Sequence, residues 1–488
     1  VAMARSFSRA WSGHGLVLAD PRFQEFAWLH PRSFVLQHGQ LLPVSFPLWM
    51  VALSAVGWFG RGEAVLWLAV AVSASGLIPF VRLARARFGF SLGEAFALAA
   101  AAFLLPTMVL YGNRSGFTLV PQLAVALWVL LGFSRPRGWL ASFALGGAAA
   151  LAIGLRPVEA AWLAPVFALA WWAWQRSVPG AARRLLAAAA GFAFGAAVVL
   201  GVQHLTYGSP WEVGYFLRDL PAAPSAAAVS APEVPSSSWR AFFPYGFSFS
   251  QWRQNLRGLL GLGWWPWAAA WSGSAALWLA VRARQAAAVE RAAFAVLVWL
   301  TLWLSFYYGQ GRYADHIGGQ AFHLGNSLFR YLTPVFFAWT LWSGWSLKRC
   351  LPEPWGRRVL VIAGTVAGLA GIAWACLDPQ DGIFQNRRDR QAYAQVLALV
   401  ERESPAGTIW LSERSDKIAF PARAVATPIP PLGEIRRFLK AGAGPVWLYR
   451  RPPGQQERDR WAAEGLELVE TFRFERELIY EVRLRPGF

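Results

Sequence analysis

The sequence lacks the motifs that mark several familiar classes of soluble enzyme. It has no glycine-rich phosphate loop, no Cys-x-x-Cys pair and no Gly-x-Ser-x-Gly elbow, so the usual signatures of nucleotide binding, thiol redox chemistry and serine hydrolysis are missing. Its two cysteines fall at predicted helix ends, Cys350 on the predicted cytoplasmic side, and we expect no disulfide. His316 and His323, near Asp315, match no closed zinc spacing, and we interpret them as solvent-exposed. We therefore predict no metal site and no cofactor, although the sequence leaves a need for a divalent cation open.

Acidic residues are scarce. The sequence has 27 Asp and Glu and 46 Lys and Arg, which gives a formal net charge of +19. Such an excess is typical of nucleic-acid-binding proteins. Here, however, the basic residues cluster in short loops between apolar segments, and from residue 82 onward they occupy every second loop, as the positive-inside rule predicts for cytoplasmic loops. The basic sets are Arg82/Arg85/Arg87, Arg135/Arg137, Arg176/Arg183/Arg184, Arg282/Arg284/Arg291 and Lys348/Arg349/Arg357/Arg358. We predict a protein surrounded by membrane lipids, with no nucleic-acid partner.

Long apolar stretches recur between about residue 41 and residue 377. A helix that crosses a bilayer needs about 20 mostly apolar residues, because the hydrocarbon core is about 30 Å thick. Leu186–Val202 and Val359–Cys376 lack the polar face that a soluble helix keeps. The pattern predicts an α-helical polytopic membrane protein with about 11 transmembrane helices. The predicted segments are 41–60, 63–81, 92–110, 116–134, 138–155, 157–174, 184–204, 259–281, 291–308, 329–347 and 358–377.

Loop charge and composition divide the chain into three predicted parts. They are a first extracytoplasmic loop at 1–40, a transmembrane domain at 41–377 with long outer loops at 205–258 and 309–328, and a soluble extracytoplasmic α/β domain at 378–488. If both 41–60 and 63–81 crossed fully, the loop charges would place 1–40 in the cytoplasm, so its location outside requires that one of them does not cross. The outside location is also what the family resemblance given below implies. Val1 is not a start methionine and no signal peptide opens the chain, so we expect it to begin downstream of its natural start. The predicted location is the plasma (inner) membrane.

The last part alternates helical and strand patterns. Helical periodicity is found over Arg387–Ser404, Gly433–Lys440 and Gln455–Glu464. Strand patterns are found over Gly407–Leu411, Val446–Tyr449 and Leu466–Leu484, the last as one or two strands. This alternation predicts the small C-terminal α/β domain.

The predicted outer loops collect residues that suit chemistry on a lipid phosphate. They carry Asp20, Glu25, Glu212, Asp219, Asp315, His204, His316, His323, Arg114, Arg312, Arg330, Tyr111, Tyr215, Tyr313 and Tyr331. Arginine forks bind phosphate oxygens, and a carboxylate can deprotonate an acceptor hydroxyl. Solvated loop charge with interfacial tyrosines is the alternative. For Arg156, Glu159 and Arg330, at the outer ends of helices, a functional role and simple snorkelling both stay open.

Four motifs, in this order, resemble the GT-C superfamily of polytopic glycosyltransferases, specifically bacterial members related to protein O-mannosyltransferases and lipid A aminoarabinose transferases. They are Gly39-Gln40-Leu41-Leu42-Pro43 with Phe46-Pro47, Gly154-Leu155-Arg156-Pro157, the stretch 204–215 (HLTYGSPWEVGY), and Arg330-Tyr331-Leu332-Thr333-Pro334. A trailing soluble α/β domain is also common in that superfamily. The resemblance implies a GT-C-like membrane fold.

The resemblance also implies transfer of a sugar, with inversion, from a polyprenyl-phosphate-linked donor to an extracytoplasmic acceptor that is a lipid, glycan or protein. In such enzymes an aspartate of the first outer loop is the general base, and outer-loop arginines hold the donor phosphate. The implied roles are Asp20 as base with Glu25 second, Arg114, Arg312 and Arg330 for the donor phosphate, and His204, Glu212, Tyr215 and Tyr331 for the donor pocket. The family's acidic pair follows a first membrane helix, which here would precede Val1.

Two other functions fit part of the pattern. A non-catalytic subunit that binds or transports a lipid carrier agrees with the missing acidic pair, although the sequence shows no repeated halves of the kind that transporters often have. A polysaccharide polymerase or ligase would share the lipid-linked donor but use a different outer loop.

Overall fold

The structure is a computed structural model of the chain. The residues that it describes are 25–26, 28–30, 34–37, 40–44, 46–59, 64–112, 117–135, 138–211, 248–311, 323–405, 407–413, 415–419, 423–474 and 477–487. They belong to two compact units. The helical unit is drawn from Phe59–Val202 and Pro235–Asn386, and the α/β unit from Val1–Trp58, Gln203–Val234 and Arg387–Phe488.

Most of the described residues are helical. In chain order the helices up to residue 403 are α1 (Pro47–Phe59), α2 (Ala64–Ser75), α3 (Leu77–Phe88), α4 (Leu92–Phe103), α5 (Pro106–Gly112), α6 (Leu119–Phe133), α7 (Trp139–Gly154), α8 (Ala160–Gln175), α9 (Ala181–Tyr207), α10 (Phe249–Leu259), α11 (Trp265–Val281), α12 (Ala288–Gly309), α13 (Ser327–Cys350), α14 (Trp355–Leu377) and α15 (Ile383–Glu403). A 3-10 turn at Pro157–Glu159 precedes α8, and a π-helical turn at Leu260–Trp264 precedes α11.

Several helices are suited to a membrane. The described stretches that are long and apolar enough to cross one are Trp67–Phe88, Ala181–Tyr207, Ala288–Gly309 and Trp355–Leu377, and two bent helix pairs raise this number to at most 6. The prediction of a helical polytopic membrane protein is confirmed, whereas the expected count of about 11 spans is not. The reasons are visible in single helices: α1 and α6 have only 13 and 15 residues, and α13, with 24, carries Arg330, Lys348 and Arg349 near its ends.

Prolines mark two sharp bends between helices. α4 and α5 meet at a bend of 70°, with Pro106 at the start of α5, and α7 and the helical stretch that starts at Pro157 meet at a bend of 112°. Proline lacks the N–H that an interior helical position needs, and it disfavours helical geometry at the residue before it. Each break therefore ends one helix and redirects the chain. The break at Pro157 agrees with the predicted boundary between 138–155 and 157–174, whereas the break at Pro106 falls inside the predicted span 92–110.

Glycine lets two helices of the helical unit touch through their backbones. A Cβ on Gly191 of α9 would lie 1.8 Å from the carbonyl oxygen of Phe143 in α7, and a Cβ on Gly146 would lie 1.9 Å from that of Ala188. Any larger residue at these positions would overlap the neighbouring backbone. Close approach through small residues is a usual way for membrane helices to associate.

The prediction that Arg82, Arg85 and Arg87 lie in a loop is wrong. α3 continues to Phe88 and ends only at Gly89, whose φ of 68° suits glycine. Arginines in the last turn of a helix are stabilised by the negative end of its dipole. The helix therefore extends past the apolar residues by which its end was predicted.

The C-terminal residues form a five-stranded mixed sheet with helices, which confirms the predicted α/β domain fold. The strands are β3 (Ile409–Ser412), β4 (Ala424–Ala426), β5 (Val446–Arg450), β6 (Leu466–Arg473) and β7 (Leu478–Leu484), and the helices are α16 (Asp416–Ala419), α17 (Leu432–Lys440) and α18 (Gln455–Ala463). The strand order is β4-β3-β5-β7-β6, with β3 parallel to β4 and β5 and the other pairs antiparallel. Val396 and Val400 of α15 pack with Trp410 and Tyr449 in the core of this domain.

Residues from the amino end belong to the same unit. Phe26 is fully buried against Phe438 of α17, with ring centroids 4.8 Å apart, and Thr427 donates its backbone N–H to the carbonyl oxygen of His30 at 3.2 Å. The strands β1 (Phe34–Gln37) and β2 (Gln40–Pro43) follow as an antiparallel pair. Phe26 and His30 of the predicted first loop therefore contact the C-terminal domain.

Candidate functional site

Arg156 lies at the break between α7 and α8. Its backbone is extended, with φ −154° and ψ 90°, as expected for a residue that precedes a proline. This geometry ends α7 and turns the side chain into the helical unit, where it is only 8% exposed. Arg156 thus owes its position to Pro157, the residue that follows it in the Leu-Arg-Pro motif.

Glu159 holds Arg156 in place. An oxygen of Glu159 lies 3.2 Å from an Nη of Arg156 and accepts a hydrogen bond of 2.7 Å from the hydroxyl of Tyr308, and the other oxygen accepts the indole N–H of Trp162 at 2.5 Å. Arg156 in turn donates to the hydroxyl of Tyr308 at 3.0 Å. Both carboxylate oxygens are occupied and the side chain is fully buried, so Glu159 is arranged to hold Arg156 in position.

The amino end of α13 supplies a second arginine. Asn326 caps this helix by accepting the backbone N–H of Leu328 at 2.8 Å. One turn later, the guanidinium of Arg330 donates to the hydroxyl of Tyr331 at 2.7 Å and to that of Ser327 at 3.2 Å. Its Cζ lies 4.3 Å from the ring centroid of Phe117, within the range of a cation–π contact.

The ring of Tyr331 joins the two arginines. Its centroid is 4.8 Å from Cζ of Arg156 and 4.6 Å from Cζ of Arg330, and it stacks on the ring of Tyr308 with centroids 4.2 Å apart. The hydroxyl of Tyr111 reaches the same helix end and donates to the carbonyl oxygen of Asn326 at 3.1 Å. We call Arg156, Glu159, Tyr308, Arg330, Tyr331 and Tyr111 the arginine–tyrosine cluster.

His323 and Asp381 fasten the segment that leads into α13. The Nδ1 of His323 lies 2.5 Å from an oxygen of Asp381, and the same oxygen accepts the backbone N–H of Gly325 at 2.7 Å. A Cβ on Gly325 would lie 2.3 Å from the Asp381 carboxylate, so the contact requires glycine. The interpretation of His323 as solvent-exposed is wrong, because only 4% of it is exposed; His316 lies outside the described residues.

The arginine–tyrosine cluster is suited to binding an anionic group. It contains two guanidiniums and one carboxylate, and the carboxylate is engaged by Arg156. Guanidinium forks form strong, directional hydrogen bonds to phosphate oxygens, and their electrostatic attraction is larger where water is excluded. Among the described residues, no group of three or more His, Cys, Asp or Glu side chains is arranged to hold a metal ion.

The structure describes four of the predicted site residues. Arg330 and Tyr331 lie together in the cluster, whereas Glu25 and His204, both exposed, belong to the α/β unit. The others lie outside the described residues: Asp20, Arg114, Glu212, Tyr215 and Arg312. The proposed roles of all nine residues therefore remain proposals.

The sequence prediction missed the part played by Tyr308. This residue lies in the last turn of α12, at the end of the predicted segment 291–308, and it was not among the candidate residues. Its partners Glu159 and Arg156 are separated from it by about 150 residues (149 and 152). An Arg followed three residues later by a Glu, beside a proline between two apolar stretches, is the sequence signal from which an ion pair could have been proposed.

Neither a protein-family model nor a curated protein matches this sequence. Among solved structures, the chain is similar to the crystal structure of ArnT from Cupriavidus metallidurans in the apo state, with a TM-score of 0.52 and 14% sequence identity. The match covers 98% of this chain and 92% of ArnT. ArnT is an aminoarabinose transferase and a GT-C glycosyltransferase. At this identity the similarity concerns the fold alone, and it supports the resemblance at that level: the chain has an ArnT-like fold.

Proposed function

We propose that this protein is a membrane glycosyltransferase that moves a sugar from a polyprenyl-phosphate-linked donor to a hydroxyl or other nucleophile of an extracytoplasmic acceptor. The observation that carries the proposal is the arginine–tyrosine cluster within an ArnT-like fold. Its members come from the ends of α5, α12 and α13 and from the break before α8, which the loop charges predict to face the same side of the membrane.

In this proposal the cluster binds the donor phosphate. Arg330 donates to the phosphate oxygens, helped by Arg114 and Arg312 of the neighbouring predicted outer loops. Arg156 is held by Glu159 and contributes positive charge through the ring of Tyr331. Both charges stabilise the phosphate as it leaves the sugar, when its negative charge increases.

The transfer step is a single displacement. The acceptor oxygen attacks the anomeric carbon, the bond from that carbon to the phosphate oxygen breaks, and polyprenyl phosphate leaves with the electron pair. A base takes the acceptor proton, and Asp20 is the proposed base, with Glu25 second. His204, Glu212, Tyr215 and Tyr331 are proposed to shape the donor pocket. Attack from the face opposite the phosphate gives inversion at the anomeric carbon.

The proposal places the protein in the inner membrane, with the C-terminal α/β domain on the extracytoplasmic side. The apolar helices place the chain in a membrane, and the loop charges favour this orientation. Labelling of single cysteines introduced at exposed positions of the α/β domain, in intact cells, tests the orientation. Labelling only after the inner membrane has been permeabilised would contradict it.

Sugar transfer from radiolabelled polyprenyl-phosphate donors by the purified chain tests the function. Arg330→Ala should lower kcat/KM at least about 100-fold, since it removes charge-assisted contacts to the phosphate, and it should leave thermal unfolding unchanged. Arg358→Ala, an exposed arginine near the start of α14, is the matched control and should keep full activity. Normal sugar transfer by the Arg330→Ala variant would show that Arg330 does not bind the donor phosphate.

The same assay separates the base from the binding groups. Asp20→Asn should abolish transfer but keep donor affinity, because a base acts on the acceptor proton and not on the donor phosphate. If Asp20→Asn and Glu25→Gln both retain activity, neither is the base. Donor binding without transfer, across a panel of sugars and acceptors, would instead identify a lipid-carrier binding or transport subunit.

A further inference from the structure

Three arginines of the helical unit lie against tryptophan rings. Cζ of Arg176 is 4.2 Å from the ring centroid of Trp172, and Cζ of Arg87 is 5.6 Å from that of Trp174. Cζ of Arg183 is 5.9 Å from the ring of Trp139. Tryptophan is enriched at the membrane interface, where an indole ring can meet both lipid and headgroup. These arginines belong to the end of α3, the end of α8 and the start of α9.

Hydrogen bonds and close packing join those helix ends into one surface. The side-chain N–H of Gln175 donates to the carbonyl oxygens of Phe133 and Arg135 at 2.5 and 3.0 Å, which ties the end of α8 to the end of α6. α7 and α9 touch through their backbones near Gly146. We call the surface formed by Arg87, Arg135, Arg176, Arg183, Trp139, Trp172 and Trp174 the Arg–Trp surface.

The charge of the Arg–Trp surface has one sign. The sequence contains no Asp or Glu between Glu94 and Glu159, and none between Glu159 and Glu212. Glu94 pairs with Lys348 and Glu159 with Arg156, so these two carboxylates are engaged elsewhere. Within the described residues none of the four arginines of this surface forms an ion pair. The arginines of this surface therefore carry positive charge without a carboxylate partner among the described residues, and a bound anion would supply one.

Exposed apolar side chains lie beside the arginines. Leu140 follows Trp139 and is 64% exposed, and Leu186, one turn after Arg183, is 71% exposed. Basic groups next to exposed leucine and tryptophan match the boundary between lipid headgroups and acyl chains. An anion that meets this surface would therefore be part of a lipid.

A narrow cleft beside the arginines adds a hydrogen-bond acceptor. Arg135, Ser142 and Gln175 line it, together with apolar neighbours. Gln175 is only 4% exposed; its N–H group is used by the two carbonyl oxygens, and its own Oε1 has no hydrogen-bond partner among the described residues. A buried acceptor of this kind is stabilised by a donor such as a hydroxyl group.

We infer that the Arg–Trp surface is a binding site for an anionic phospholipid whose headgroup carries hydroxyls, of the phosphatidylglycerol class. The arginines bind the phosphodiester, the cleft with Gln175 takes a glycerol hydroxyl, and the acyl chains lie along Leu140 and Leu186. Basic sites between membrane helices on the side with excess positive charge bind anionic headgroups in this way. The inference depends on the membrane location of the chain and is independent of the proposed sugar transfer.

Native mass spectrometry of the purified full chain tests the site, with phosphatidylglycerol and phosphatidylcholine of identical acyl chains added in equal amounts. The wild type should retain phosphatidylglycerol in at least about tenfold preference. The triple variant Arg87→Gln/Arg176→Gln/Arg183→Gln should lose most of that preference, with unchanged thermal unfolding, because all three side chains are exposed.

A second triple variant, Arg284→Gln/Arg357→Gln/Arg358→Gln, is the matched control. It removes the same number of exposed positive charges from other helix ends and should keep the preference of the wild type. Phosphatidic acid, which has a phosphate but no glycerol headgroup, should bind less well than phosphatidylglycerol. Equal loss in both triple variants, or no preference in the wild type, would overturn the inference.

Discussion

The two units of the molecule bury their interiors in different ways. In the helical unit, α7 and α9 approach until only glycine fits, and large rings stack, as where Trp264 meets Phe336 with centroids 4.3 Å apart. In the α/β unit, fully buried aliphatic residues of parallel strands, such as Ile409 and Val446, form the core. Apolar helices gain no hydrophobic free energy by excluding lipid, because lipid tails are as apolar as their side chains. They therefore associate through close backbone packing. Water drives the burial of apolar side chains in the second unit.

The units also place their charges differently. Arginine–carboxylate pairs of the α/β unit are exposed, as for Arg473 with Glu470, and such pairs stabilise a fold only slightly. In the helical unit Arg156 and Glu159 are buried and share hydrogen bonds with Tyr308. A buried pair is costly to separate, because the remaining charge is left without its partner. Buried charge of this kind is therefore the place to look for function in the helical unit.

The strongest test of backbone packing is a leucine at Gly191. Its side chain would overlap the carbonyl oxygen of Phe143, since even a Cβ would lie 1.8 Å away. We expect Gly191→Leu to prevent recovery of folded protein, as measured by size-exclusion chromatography in detergent. Gly201→Leu, in the same helix with no atom within 4 Å of the added Cβ, is the matched control and should behave as wild type. Normal recovery of the Gly191→Leu variant would contradict the close packing.

The second test concerns the contact between the amino end and the α/β domain. Phe438→Ala should destabilise the α/β unit by about 3–5 kcal/mol, because it leaves a cavity where Phe438 packs on Phe26. Hydrogen exchange should then increase in the peptide that contains residues 28–30. Phe472→Ala, at a partly exposed position of β6, should have a smaller effect and leave that peptide protected. Equal exchange in both variants would show that Phe26 is not anchored by Phe438.

The third test removes one hydroxyl from the arginine–tyrosine cluster. Tyr308→Phe deletes the hydrogen bond to Glu159 and the one received from Arg156, each worth about 1 kcal/mol or more. We expect sugar transfer to fall about tenfold, mainly through a higher KM for the donor, because Arg156 loses its fixed position. Tyr393→Phe, an exposed tyrosine of α15, is the control. An unchanged KM for the donor in the Tyr308→Phe variant would show that Tyr308 does not contribute to donor binding.

The smallest expected effect is a pH dependence confined to the α/β unit. Burial and a hydrogen bond to Glu477 raise the pKa of Tyr449 above its ordinary value of 10.0. The folded state therefore favours the neutral phenol, and this stabilisation is complete below pH 10 and is lost as the pH rises further. Hydrogen exchange of the β5 peptide should increase above pH 10 in the wild type and less steeply in Tyr449→Phe. Identical pH profiles would contradict this role.

The sequence predicts the α/β domain better than the membrane helices. Periodicity located the helix that ends at Lys440 and the strand that starts at Val446, because soluble elements alternate polar and apolar residues. Apolar helices lack that contrast, so the bend before Pro106 and the extension of α3 to Phe88 were not visible, whereas Pro157 did mark the predicted boundary between two segments. The hydropathy pattern established a membrane protein but not its number of spans.

The candidate site was predicted only in part, for a related reason. Arg330 and Tyr331 stand out in a motif that resembles GT-C enzymes, whereas the contact of Tyr111 with Asn326 joins residues 215 positions apart. His323 looked like an exposed loop residue until its contact with Asp381 was seen. Long-range pairs of this kind follow from helix packing, which a single sequence does not encode in any local pattern.

The most direct test of the central claim is a cryo-electron microscopy map of the purified chain with polyprenyl phosphate bound. The account predicts phosphate density about 3 Å from the guanidinium of Arg330, beside the ring of Tyr331. Lipid phosphate bound elsewhere, with the arginine–tyrosine cluster empty and unchanged at saturating ligand, would contradict it.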